Sequence, residues 1–291
     1  MGSGQGGDGP AALVSTKVNG VTEALLEALT ARLRRESRLL VAFSGGVDSA
    51  LVAAVAAQTL GPRAVAVTAV SASLAGAERA GAREFARRHG IRHLEICTDE
   101  LDRPEYRRND ADRCYHCKTA LLDALTPLAE LSGAGIALGT NLDDLGDHRP
   151  GQRAAGQRGA IAPLVDAGLG KSEVRAVSRL LGLATSDKPA AACLASRVAY
   201  GDEVTPELLG RIEVAESAVH ALGFPVCRVR AHGDGAVARL EVPAAEFDRA
   251  VGLRAELDGA VRAAGFRFCA LDLQGFRSGR MNVLLGLPAP R

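Results

Sequence analysis

The stretch RLLVAFSGGVDS, residues 38–49, decides the fold. Arg38 to Phe43 is a short β-capable run, stopped at once by Ser44-Gly45-Gly46. Asp48 to Leu60 then reads as a helix ended by Gly61-Pro62. In the turn between them, glycines let the backbone approach a ligand closely. The loop amides and the helix N-terminus together make an anion site. Ser44 and Ser49 add hydroxyl donors, and Val47 carries the chain into the helix. Asp48 repels bare phosphate, so Mg²⁺ or a metal–pyrophosphate complex is its natural partner. The lysine of a G-x-x-x-x-G-K-[ST] loop is missing, so the loop is not of that type.

Outward from this turn, strands are expected at Ala64 to Val70, Ile91 to Cys97 and Ile136 to Gly139. Helices are expected at Leu74 to His89, Cys114 to Leu131 and Lys171 to Leu181, the last capped by Ser172. This alternation predicts an α/β fold with a parallel sheet and helices on both faces. Gly139-Thr140-Asn141-Leu142-Asp143-Asp144 leaves the fourth strand at the carboxyl edge, where open sheets bind ligands. A turn capped by Asn141 or Asp143 explains the same residues. Residues 147–160 read as a long polar loop. Near Tyr200-Gly201 the pattern changes. Thr205-Pro206 starts a capped helix, and strands follow at Val226 to Ala231, Val237 to Val242 and Arg267 to Leu273. The expected organisation is a flexible tail over 1–16, a nucleotide domain over 17–200 and a smaller α+β domain over 201–291.

Composition narrows the function classes. The 291 residues carry 35 Lys plus Arg against 34 Asp plus Glu, a net charge of +1, so no global field favours nucleic acid or a membrane surface. Trp is absent and aromatics are 3%, which argues against base-stacking platforms. No apolar run reaches the ~20 residues of a membrane helix. The N-terminus lacks a basic region followed by an apolar one, so a cytoplasmic protein is expected.

The six cysteines do not read as a disulfide framework. Cys227 and Cys269 lie on apolar strand faces and read as core; Cys97 ends a strand. Cys114 and Cys117 form a C-x-x-C, a spacing that can hold a metal or two corners of a cluster. Cys193 lies in an irregular stretch flanked by Lys188 and Arg197, bases able to lower its pKa, and is a candidate nucleophile or metal ligand. Arg228 and Arg230 share one strand face and suit a bidentate grip on phosphate or carboxylate. Ser196, Arg197, Arg277 and Arg280 are further candidates for the same pocket. Glu216 is a candidate too, although a helix-surface glutamate is the commoner reading of such a residue.

Ser44-Gly45-Gly46-Val47-Asp48-Ser49 resembles the loop of N-type ATP pyrophosphatases, which cleave ATP between the α- and β-phosphates. Taken with RCYHCK (113–118), CLASRVAYG (193–201) and LDLQGFRSGRMN (271–282), the chain resembles the LarE family, the ATP-dependent sulfur transferases of nickel-pincer cofactor assembly. The resemblance runs from about residue 20 to about residue 285. It implies ATP and Mg²⁺ at residues 44–49, with Gly139, Thr140 and Asn141 near the nucleotide and Asp48 among the catalytic groups. It implies a nicotinate-derived substrate, pyridinium-3,5-biscarboxylic acid mononucleotide, held by the arginine pocket. It further implies a homo-oligomer and other enzymes of the same pathway as partners. Two chemistries occur in the family. In one, a cysteine at the position of Cys193 gives up its own sulfur and becomes dehydroalanine. In the other, three cysteines hold a [4Fe-4S] cluster, and Cys114, Cys117 and Cys193 match that type. A zinc site including His116, a tRNA thiolase, an ammonia-dependent amide synthase and a non-catalytic nucleotide sensor are the alternatives.

Overall fold

The computed structural model describes residues 10–145, 156–189, 191–277 and 281. Its first sheet has four strands: β1 (Leu39–Ala42), β2 (Ala64–Val70), β3 (His93–Cys97) and β4 (Gly135–Ala137). They are all parallel, in the order β3-β2-β1-β4. The first half of the α/β prediction therefore holds. The helices are α1 (Pro10–Leu33), α2 (Val47–Leu60), α3 (Gly76–Arg88), α4 (Pro104–Arg107), α5 (Arg113–Ser132), α6 (Leu142–Leu145), α7 (Pro163–Asp166) and α8 (Lys171–Leu180).

Helix α2 is apolar nearly all round, which suits a helix enclosed by other elements rather than one with a wet face. It packs with α1, α3 and α8 on one face of the sheet, in a core that includes Leu29, Leu51, Val55, Phe85 and Val177. Helix α5 covers the other face through Leu122, Leu125 and Ala129 against Leu40, Val67 and Ile136. The chain thus winds outward from β1 to β3 on one face and returns to β4 on the other. The order reverses between β1 and β4, and the turns leaving those two strands flank the resulting crevice, where such sheets bind ligands.

The second sheet contains β5 (Arg228–His232), β6 (Val237–Glu241) and β7 (Phe268–Leu271). β5 and β6 are antiparallel, while β6 and β7 are parallel. Helices α9 (Pro206–Ala221), α10 (Phe247–Gly252) and α11 (Arg254–Ala263) accompany it. Thr205 caps α9 as expected, its Oγ1 accepting from the Leu208 amide at 3.2 Å. The second core also takes in Tyr106, Leu194, Ala195 and Val198 from the earlier part of the chain.

Two expectations need correction. A helix, α1, precedes β1 where none was expected, and it runs back to Pro10. Proline at a first helical position explains that start, and residues 1–9 of the expected tail lie outside the described residues. The cap of α8 is Gly170 rather than Ser172. Glu173 accepts from the Gly170 amide at 3.0 Å, and Asp143 accepts from the Lys171 amide at 2.5 Å. Ser172 instead donates to Glu173 at 2.7 Å. The loop expected over 147–160 lies outside the described residues as far as 155. Among the described residues, no helix is long and apolar enough to cross a membrane.

Gly139 ties the two crevice turns together. A Cβ there would lie 2.7 Å from the Ser49 nitrogen and 2.9 Å from the Ser49 Cα. Those atoms belong to a helix start and cannot rotate aside. Gly139→Ala is expected to destabilise the protein by about 1–3 kcal/mol, the usual cost of overpacking, as read from urea unfolding midpoints.

Candidate active site

The loop after β1 folds on its own hydroxyls. Ser44 and Ser49 share a hydrogen bond at 3.1 Å, and Ser49 Oγ also accepts from the Ser44 amide at 3.2 Å and donates to the Gly46 carbonyl at 3.2 Å. Gly45 has φ +72°, a conformation that glycine adopts without strain. Gly46 precedes α2 with no side-chain cap. The first-turn amides of α2 therefore face the crevice without a capping side chain, as an anion-binding loop requires.

The turn after β4 serves this loop. Asn141 caps α6 reciprocally with Asp144: Asn141 Oδ1 accepts from the Asp144 amide, and Asp144 Oδ2 accepts from the Asn141 amide, both at 3.2 Å. The Asn141 amide group then donates to Asp48 Oδ1 at 2.9 Å. Asn141 thus caps its own turn and also reaches across to the loop after β1. Burial pushes the Asp48 carboxyl up, the Asn141 hydrogen bond pulls it down, and the nearby Asp144 charge pushes it up again. Two neighbouring carboxylates beside phosphate-facing amides suit a hard divalent cation that also holds substrate phosphates. Thr140 is half-buried in the same turn.

Lys188 reaches this loop as well. Its ammonium donates to the Gly45 carbonyl at 3.1 Å and to Glu78 at 2.6 Å. The sequence reading placed it only as a neighbour of Cys193. Arg175 holds the same segment by donating to the carbonyls of Ser186 and Lys188 at 2.6 and 3.0 Å.

Cys193 is exposed and opens a short 3-10 turn, Leu194–Arg197. The Leu194 amide donates to the Ser73 carbonyl at 2.9 Å, and Ser196 Oγ donates to the Cys193 carbonyl at 2.7 Å. Cys114 is exposed at the start of α5, and Cys117 is half-buried one turn on. The three thiols share one electrostatic neighbourhood. Burial, then Cys193 and the carboxylate of Glu100, push the Cys117 thiol up to about 12. Burial and then the same two thiols, Cys193 and Cys117, push the Tyr106 hydroxyl up.

Cations that the sequence reading missed stand beside these thiols. Arg113, 4% exposed, donates to the Ala195 carbonyl at 2.8 Å and to Asn109 Oδ1, and it makes no ion pair among the described residues. Cys193 and Cys114 both favour its charge, against burial. Lys118 is pulled down by burial and supported by Cys117 and Cys114. The RCYHCK motif contained both residues, but only spatial proximity shows that their charges face the thiols. His116 instead bonds Asp112 at 3.2 Å. Among the described residues no group of three or more His, Cys, Asp or Glu is gathered to hold a metal ion. Cys114, Cys117 and Cys193, with Arg113 and Lys118 beside them, are the thiols this site offers to a thiolate-bound group.

The arginine pocket differs in detail from the expectation. Glu216 is 7% exposed and forms a bidentate pair with Arg197 at 3.1 and 3.2 Å; it also accepts from the Val229 amide at 3.0 Å. It is a buried brace rather than a helix-surface glutamate. Arg197 carries that bracing to the Ala192 and Cys193 carbonyls at 2.6 and 3.0 Å. Arg230 is also buried, paired with Glu241 at 3.0 Å and donating to the Ser196 carbonyl at 3.0 Å. Arg228 lies over the Phe276 ring and has no ion pair among the described residues. Burial and the charges of Arg197 and Arg230 pull its pKa down. An anion would therefore be drawn to Arg228 first. Arg277 is exposed, and Arg280 lies outside the described residues. Cys227 is fully buried and Cys269 packs partly against the second core, both as expected.

Comparison with known proteins matches this architecture to characterised chemistry. A family model described as asparagine synthase covers residues 20–127. The pyridinium-3,5-bisthiocarboxylic acid mononucleotide synthase of Lactiplantibacillus plantarum is 35% identical over 259 residues, which are 88% of this chain and 93% of that protein. An uncharacterised protein of Synechocystis is 44% identical over 267 residues, 90% of this chain and 98% of its own. An uncharacterised protein of Methanocaldococcus jannaschii is 24% identical over 245 residues.

Asn141→Leu removes the side-chain hydrogen bond that lowers the Asp48 pKa. If ionised Asp48 holds the metal, Mg²⁺–ATP binding fades as pH falls through its pKa. The variant's acid limb is expected at higher pH than wild type's, as read by titrating Mg²⁺–ATP affinity against pH.

Proposed function

The chain belongs to the LarE family of PP-loop proteins, and from that footing we propose that it is an ATP-dependent sulfur transferase acting on pyridinium-3,5-biscarboxylic acid mononucleotide. The observation that carries the reading is the convergence of loop 44–49, ordered by Asn141 and Lys188, with a pinned segment that presents Cys193 beside Cys114 and Cys117.

A carboxylate is a poor electrophile, and adenylylation supplies a leaving group. One substrate carboxylate oxygen attacks the α-phosphorus of ATP, and pyrophosphate leaves. Ser44, Ser49 and the amides of residues 45–49 hold the departing phosphates, while Asp48 and Asp144 would hold Mg²⁺, which would neutralise charge on those phosphates. Gly139, Thr140 and Asn141 line the nucleotide side of the crevice, and Val47 seats the loop in the core beneath it. Sulfur then attacks the acyl-adenylate, the bond from acyl carbon to bridging oxygen breaks, and AMP departs with that oxygen. The second carboxylate follows the same course.

Arg228 takes the substrate phosphate or a ring carboxylate as its counter-ion. Arg197 with Glu216, and Arg230 with Glu241, act on the reaction by fixing the backbone around Cys193 and Ser196. Arg277, exposed beside Phe276, adds a further positive charge. Cys114, Cys117 and Cys193 would hold a [4Fe-4S] cluster, which supplies a transferable sulfide when bound. Arg113 and Lys118 offset the negative charge of the three ligands. A cytoplasmic homo-oligomer working beside other enzymes of nickel-pincer cofactor assembly completes the reading.

A second reading has its own support. Cys193 is exposed, and burial pushes the Cys117 thiol up to about 12, which disfavours its thiolate form. Under it, Cys193 donates its own sulfur and ends as dehydroalanine. Iron and acid-labile sulfide in anaerobically prepared protein separate the two. The cluster reading expects about four irons per chain, lost in Cys114→Ala, Cys117→Ala and Cys193→Ala alike. Iron-free wild type that still makes thiocarboxylate, losing 34 Da at residue 193 (roughly one H₂S), would overturn it in favour of sacrifice.

A further inference from the structure

A cavity of about 400 Å³ lies at the amino edge of the first sheet, opposite the crevice that holds loop 44–49. Its walls combine Leu40, Val65, Pro62 and Ala134 with three arginines, Arg38, Arg63 and Arg92. Each arginine directly precedes a strand: Arg38 before β1, Arg63 before β2 and Arg92 before β3. Those strands are neighbours in the sheet; Arg38 and Arg63 are level across β1 and β2, about 4.8 Å apart in the backbone, while Arg92 is level with Val65, two residues further along the sheet.

Their known bonds are all to carbonyl oxygens. Arg38 donates to Ser132 at 3.4 Å, Arg63 to Leu60 and Ser37 at 3.3 and 3.1 Å, and Arg92 to Pro62 at 2.8 Å. The Leu60 and Ser132 carbonyls end α2 and α5, where a cation is favoured. These bonds aim the guanidiniums without neutralising them. No ion pair to any of the three occurs among the described residues, whereas most arginines of α3 are paired. The nearby Glu36, whose carboxylate touches the position of a Gly135 Cβ, is bound to Arg32 at 2.7 Å. Three like charges therefore share one concave, partly apolar site with most of their N–H donors unused. The cavity volume falls within the range of small-molecule sites.

We propose that the cavity lined by Arg38, Arg63 and Arg92 forms a second anion site, separate from the ATP crevice, for a phosphorylated small molecule with at least two negative charges. Guanidiniums grip the phosphate bidentately, and Leu40, Val65, Pro62 and Ala134 receive the less polar part of the ligand. The site stands independently of the sulfur-transfer reading, since none of its residues belongs to that machinery.

Calorimetric titration of the full chain with inorganic pyrophosphate, and separately with AMP, tests the assignment. Wild type is compared with Arg63→Ala/Arg92→Ala and with Ser44→Ala/Ser49→Ala, each checked for folding by circular dichroism. Arg63 and Arg92 are exposed, so the fold is expected to survive their loss. One class of binding should weaken at least about tenfold in the arginine variant, for one or both probes, and persist in the serine variant. Pyrophosphate alone would mark an inorganic ligand; AMP would mark a nucleotide-like one. An arginine variant that binds both probes as wild type does overturns the proposal and leaves the arginines as caps for helix carbonyls.

Discussion

The crevice depends on a close approach: the turn after β4 crosses the start of α2 with no room for a side chain at Gly139. That approach lets Asn141 reach Asp48 at 2.9 Å while still capping its own helix with Asp144. Loosening the contact would release the loop, the carboxylate pair and the order reversal between β1 and β4 together. An anion-binding loop gains by being organised before its ligand arrives, because no ordering cost is then taken from the binding energy.

A second set of constraints brings sulfur chemistry to that loop. The segment around Cys193 is held from three sides: by Ser73 from the first sheet, by Arg113 from α5 and by Arg197 braced on Glu216. Removing Glu216 would leave Arg197 buried without its counter-charge, a change that typically costs about 3–5 kcal/mol. Asn109 reinforces the same joint with φ 59°, donating to the carbonyls of Ala199 and Asp202 at 2.7 and 3.0 Å. Lys188, five residues before Cys193, is bonded to the loop at Gly45.

Much of this was legible in the order of residues. The β1–α2 junction, the strands at 64–70 and 93–97, the cap at Thr205 and the buried faces of Cys227 and Val229 follow from local pattern and turn chemistry. What was not legible depended on long-range pairing. Glu216 looked like a surface residue because its partner lies 19 positions away; the Asp143 cap on α8 spans 28 positions. Arg113 and Lys118 stood in a motif already singled out for its cysteines, but their facing charges appear only once α5 is set against the Cys193 turn. Helix α1 was missed because its apolar pattern lacks a clear stop-and-start signature ahead of β1.

The central claim is that a carboxylate is activated as an adenylate at loop 44–49 before sulfur replaces it. Isotope tracing with both carboxylates of the pyridinium substrate labelled in ¹⁸O tests that claim most directly, by mass spectrometry of the AMP formed in a single anaerobic turnover. The account requires one labelled oxygen to pass into AMP for every thiocarboxylate made, with unlabelled pyrophosphate. Unlabelled AMP, or label released into water or into inorganic phosphate, would contradict it.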